Sequence, residues 1–186
     1  LYNDLPISEI KDGFMVELGE LVSEEKRRLL FEIDVPDIDA LGLAKVCEIE
    51  LRWVETGTME SKVVTIPVNV NVVPGDEAAG RIANPEVITE LTFQETQRAK
   101  KEANDALARG DHEGARRRWH QSRERLQRLD RGSMNAQELR DINEEIAMLD
   151  QIEARSDVDI NMARKMSQAD YHRKSQKRGR PKRGGE

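Results

Sequence analysis

Oxygen donors at alternate positions are the first feature of this sequence that could do chemistry. Asp157, Asp159 and Asn161 stand two apart, the spacing at which the opening half of a calcium loop supplies its ligands. Such a loop also needs glycine at its sixth place and a bidentate glutamate at its twelfth, and here these are Met162 and Gln168. The expected role is therefore a helix cap. A second acidic pair, Asp76 and Glu77, lies between Gly75 and Gly80. A general acid and base need burial that drives their pKa values apart, and an exposed Pro-Gly turn supplies none. The pair reads as a junction that starts a helix. His112, His120 and His172 have no histidine four residues on and no cysteine pair nearby, so a zinc site lacks ligands and surface histidines are expected. Cys47, the single cysteine, falls on the apolar side of a strand pattern and is expected to be a small buried hydrophobe. It allows no internal disulfide framework and fits a reducing, cytoplasmic setting. No phosphate loop, dinucleotide fingerprint, nucleophile elbow or His-Glu-x-x-His occurs, so no catalytic, cofactor-binding or metal-ligating residue is assigned and no enzymatic activity is expected.

The cations carry more information. Residues 1–85 have a net charge of −9, residues 86–170 of −3 and residues 171–186 of +6. Arg116, Arg117, Arg118, Arg123, Arg125 and Arg128 are interspersed with Glu113 and Glu124 on a helical pattern and read as a solvated face. Arg173, Lys174, Lys177, Arg178, Arg180, Lys182 and Arg183 have almost no balancing acid. These seven form the candidate polyanion-binding site, able to hold nucleic acid or an anionic membrane surface by counterion release. With no aromatic beyond Tyr171 to stack on bases, the segment would read no sequence, and a solubilising or self-docking end is the plainer reading.

The elements that must position these residues follow from periodicity. Phe14, Val16 and Leu18 alternate with Met15 and Glu17 after the turn-prone Lys11-Asp12-Gly13. Leu29, Phe31, Ile33 and Val35 alternate up to Pro36, with the preceding SEEK segment as a hairpin turn. Cys47, Ile49, Leu51 and Trp53 alternate with Glu48, Glu50 and Arg52; after Thr56-Gly57-Thr58, Val64, Ile66, Val68, Val70 and Val72 do the same. Short strands on this spacing predict a small antiparallel β-sandwich of five or six strands. Pro74-Gly75 ends the pattern and Asn84-Pro85 opens a helical one.

Leu91, Ala99, Ala103, Ala106 and Leu107 mark one helix face. Gly110 suits a left-handed stop and Asp111 a cap for the next helix, which carries Ala115, Trp119, Ser122, Leu126 and Leu129 on one side. This pair predicts an antiparallel hairpin. The Ala-Leu-x-x-Gly-Asp-x-x-x-Ala run at Ala106–Ala115 resembles a tetratricopeptide-type repeat, in a single copy. A third helix carries Leu139, Ile142, Ile146, Leu149 and Ile152 behind an Asn135/Glu138 capping box, and a short fourth carries Met162, Ala163, Met166 and Ala169. The fold expected is α+β: a β-sandwich over 1–75, a hinge over 76–86, a three- or four-helix bundle over 87–172 and an unfolded basic tail over 173–186. Only 4% of residues are aromatic, so an aliphatic core is expected. No apolar run approaches the roughly 18 residues of a membrane span, and neither membrane nor nucleic acid is the expected partner. Opening at Leu1 fits a piece of a longer protein.

The run PVNVNVVPGDEAAGRIANPEVITELTFQETQRAK, with VELGELVSEEKRRLLFEIDVP before it and AKKEANDALARGDHEGA after it, resembles the segment that follows the von Willebrand factor A (VWA) domain in a family of bacterial VWA-domain proteins. The resemblance covers most of residues 1–130. It implies a non-enzymatic interaction or scaffold module that supports the VWA domain. The family's metal-ion-dependent adhesion site rests on an Asp-x-Ser-x-Ser strand end that does not occur here, so Mg²⁺ is expected in the VWA domain and not in this chain. The partners implied are that upstream domain and other proteins, an ATPase chaperone among them.

Overall fold

The computed structural model describes residues 1–21 and 27–174. They form two compact units: residues 1–32 with 83 onward, and Ile33–Ile82. The class is α+β, as the pattern of strands followed by helices predicts. Its β part among the described residues is two two-stranded antiparallel sheets, one in each unit, four strands where five or six were expected. The dividing line also differs from the expected one, because Leu1–Glu32 groups with the helices.

In the first unit, β1 (Ile7–Ile10) pairs with β2 (Gly13–Val16) across Lys11-Asp12. The alternation of residues 29–35 does not become a strand, and Leu30 within it is tied to the N-terminal residues. Asn3 Oδ1 accepts from the Leu30 amide at 2.9 Å, Asn3 Nδ2 donates to the Arg28 carbonyl at 3.0 Å, and the Tyr2 amide donates to the Leu30 carbonyl at 2.9 Å.

Four long helices follow: α2 (Pro85–Ala108), α3 (His112–Gln127), α4 (Ala136–Ser156) and α5 (Ile160–Lys174). A five-residue α1 (Gly75–Ala79) precedes them in the second unit. Each stop and start has a local cause. Asn84 caps α2 with Pro85 at its first position, Gly110 takes φ +82°, and Asp111 Oδ1 accepts from the Gly114 amide at 2.8 Å. Asn135 and Glu138 form the expected capping box, which satisfies two amides that the first turn leaves open. Asn135→Ala should lower stability by about 1 kcal/mol, read as a shift of the urea midpoint without a change of slope.

Sequential neighbours pack on one another, and α5 returns to α2, closing a four-helix ring. Its interior holds Ala103, Ala106, Ala115, Trp119, Leu126, Ile142, Leu149, Ile152 and Ala163, each large aliphatic contributing about 1.5–3 kcal/mol by leaving water. The centre is not purely aliphatic: Trp119 is fully buried and Phe93 and Tyr171 nearly so. A low aromatic count says how many such side chains exist, not where they go. Arg173 and Lys174, expected in an unfolded tail, lie inside α5.

The second unit is built on β3 (Gly42–Glu55) and β4 (Glu60–Val72), a thirteen-pair ribbon with a bulge between Lys45 and Cys47. Its turn places Met59 at φ 57°.

Candidate interaction surface

Alternation on two paired strands concentrates apolar side chains on one face of the ribbon. Directly opposite one another stand Cys47 and Val68, Ile49 and Ile66, and Leu51 and Val64; Trp53 faces Lys62 beyond them. The other face carries Glu48, Glu50, Arg52, Thr65 and Asn69, with Arg52 paired to Glu50 and Lys45 to Glu48 at 2.5 Å. The apolar face is open: Ile66 is 51% exposed, Val64 45%, Trp53 39% and Ile49 37%. Cys47 is half-buried, not fully so. A two-stranded ribbon is marginal in water and normally needs a third strand or a packed layer, so this face has the character of a surface awaiting a cover.

The helical unit answers the sequence candidates differently. Asp159 Oδ1 accepts from the Asn161 and Met162 amides at 3.0 Å, the helix cap expected of it, and Asp157 pairs with Arg116 at 3.1 Å. In the ribbon unit, Asp76 and Glu77 occupy the first turn of exposed α1. His120 lies on Arg123, Glu124 and Glu153, and His172 tilts against Tyr171 with ring centroids 5.4 Å apart. Among the described residues no three His, Cys, Asp or Glu side chains are placed to share a metal ion. The arginines of α3 are spread over carboxylates: Arg117 on Glu113, Arg118 on Glu102, Arg123 on Asp150 and Glu153, Arg125 on Glu95 and Arg128 on Glu124. Of the seven tail cations, Lys177, Arg178, Arg180, Lys182 and Arg183 lie outside the described residues. Arg173 and Lys174 are spent on Asp170, at 2.6 and 3.0 Å, and Lys174 also on Glu145.

That last contact belongs to a cluster the periodicity did not reveal. Lys100 on α2 bonds Glu145 on α4 and Asp170 on α5, and all three side chains are buried. Gln97 Nε2 donates to Glu145 Oε1 at 2.9 Å. Each carboxylate thus bridges two ammonium groups. Burial pushes the Asp170 carboxyl up, but Lys100 and Lys174 outweigh it and hold the group below its ordinary value. Enclosed between them, the cluster ties α2, α4 and α5 to one another. The signal for it was present: Lys100, Glu145 and Asp170 occupy interior positions on their own helices.

No family model, curated protein or solved structure matches the chain.

A second polar seam holds the N-terminal segment to the helices. Arg28 faces Glu86, Glu90 and Glu138 at 3.2, 3.6 and 3.0 Å; burial opposes its charge, and these carboxylates more than offset it. Asp4 accepts from the Tyr171 hydroxyl, which with Lys101 holds its carboxyl below the usual range, while burial and Asp4 push the Tyr171 phenol up. Beside this seam runs a half-open groove of about 460 Å³. Its charged walls are already engaged: Arg98 lies 4.5 Å over the Tyr2 ring and donates to the Leu1 carbonyl, and Lys101 pairs with Asp4. Of the groove and the ribbon face, the ribbon face is the more open and the more apolar.

Proposed function

We propose that this chain is a non-enzymatic interaction module, in which a helical body carries a β-ribbon whose apolar face seats another protein domain. One observation carries the reading: Ile49, Trp53, Val64 and Ile66 lie on a single open face of an isolated two-stranded sheet. That much aliphatic surface in register is costly to leave in water, at about 25 cal/mol per Å², and covering it favours association. The resemblance around Val63–Val87 supports a metal-dependent VWA domain as the occupant, with the metal held by that domain.

Trp53 is the natural reporter, because the other tryptophan, Trp119, is already fully buried. Adding a VWA domain from a protein of the resembled family should move Trp53 emission to shorter wavelength and shield it from acrylamide. Calorimetric titration of the chain alone with Mg²⁺ should give only heat of dilution. Unchanged Trp53 emission at saturating VWA domain, or a stoichiometric Mg²⁺ isotherm with the chain alone, would overturn the proposal.

A further inference from the structure

We propose that the outer edge of β3 pairs with the same edge of a second copy of this chain, joining two ribbons into one four-stranded antiparallel sheet. This concerns the edge of the ribbon, whereas the proposed function uses its face, and the two readings stand separately.

Both edges of the ribbon are free among the described residues, and they are not equivalent. β4 contains Pro67, a residue that sheets confine to outer strands because it has no amide to donate. β3 has no proline, and its bulge lies before Cys47. From Cys47 to Trp53 it offers an uninterrupted set of outward amides and carbonyls, the kind of edge that templates another strand.

What selects a second copy is the order of the side chains. An antiparallel pairing centred on Glu50 sets Glu48 opposite the partner copy's Arg52 and Arg52 opposite its Glu48. In the same register Ile49 meets Leu51, and Cys47 meets Trp53, each twice by symmetry. Residues directly opposite share a face, so every pair in this window is apolar with apolar or acid with base, except Glu50 on the axis. Arg52 already bonds Glu50 within its own strand and remains the neighbour of both Glu50 side chains. A shift of one residue in the window would set apolar side chains against charged ones. The apolar face doubles as a result, with Val64 and Leu51 of one ribbon continuing into Ile49 and Ile66 of the other.

Glu48 faces Pro67 and Arg52 faces Val63 within the ribbon, so changing their charges leaves β3–β4 pairing without a new repulsion. Sedimentation velocity of the full chain should show a concentration-dependent monomer–dimer equilibrium between about 5 and 500 µM, the range of a small interface. Glu48→Arg and Arg52→Glu should each raise the dissociation constant roughly tenfold or more, since two attractive pairs become repulsive. The double variant Glu48→Arg/Arg52→Glu should return to the wild-type constant. In a Cys47→Ser background, Glu50→Cys should cross-link between copies under oxidised glutathione, because residues opposed on the axis sit about 4.5–5.5 Å apart at Cα, within disulfide reach. Thr65→Cys, on β4, should not. A chain that stays monomeric throughout, a dimer indifferent to both single charge changes, or Glu50→Cys cross-linking no faster than Thr65→Cys would each overturn the proposal.

Discussion

Lys100→Ala is expected to destabilise the helical unit by about 3–5 kcal/mol, the usual cost of stripping one partner from a buried ion pair. The cost does not come from the missing bonds alone. Glu145 and Asp170 would stay sealed between α2, α4 and α5 with Lys174 as their shared remaining ammonium, and a buried carboxylate without full compensation pays its desolvation in full. The effect should depend on pH with a definite sign. In the wild type Asp170 lies below its ordinary value of 3.8. Its contribution is therefore complete above that value and disappears only as pH falls through the lower, folded-state value. In the variant, burial acts without Lys100 and moves Asp170 upward, so folding takes up a proton and the deficit should shrink from pH 7 toward pH 4. Urea unfolding at several pH values checks this: a deficit that is constant or grows in acid contradicts it.

How legible this was in the chain depends on which force dominates each element. Caps and stops are local, and Asn135/Glu138, Asp111 and Gly110 behave as their types and spacing predict. The α3 seam of Ala115, Trp119, Ser122 and Leu126 is equally local and equally correct. Alternation marked both ribbon strands but could not decide their partners. Residues 29–35 alternate as well as β3 does, yet they form no strand, and Leu30 instead bonds Asn3 and Tyr2, nearly thirty positions earlier. The ion cluster was hidden for a different reason: a hydrophobic periodicity treats lysine and glutamate as surface, whereas three helices meeting can bury them once they neutralise each other. On α2 the same habit gave Leu91 and Ala99 to the interior, where Gln94, Gln97 and Lys100 are the more buried side chains.

Trp119→Ala should cost about 3–5 kcal/mol, the range for a large buried aromatic truncated in a core that collapses only in part. Trp119 is the largest fully buried side chain, among Ala103, Ala106, Leu126, Leu149 and Ile152 in one apolar cluster. Its indole nitrogen has no hydrogen-bond partner among the described residues. That makes Trp119→Phe informative: it removes an unsatisfied donor along with some volume, so its cost should be well below that of alanine. The two urea midpoints, measured at equal slope, decide the matter. Equal losses would mean that the indole nitrogen is satisfied, or that packing at this site is already slack.

The helical unit is also discontinuous in sequence, because the whole ribbon, Ile33–Ile82, is interposed between the N-terminal segment and α2. Arg28 waits 110 residues for Glu138, and Asp4 waits 167 for Tyr171. Closing a loop costs only about (3/2)RT ln n in free energy, but distant closures slow the approach to the native state. Leu1–Glu32 is synthesised before the helices it groups with, while the ribbon could pair as soon as its turn is made. That segment is thus among the last to lock, and a nascent chain stalled before α5 would leave it open to proteases and chaperones.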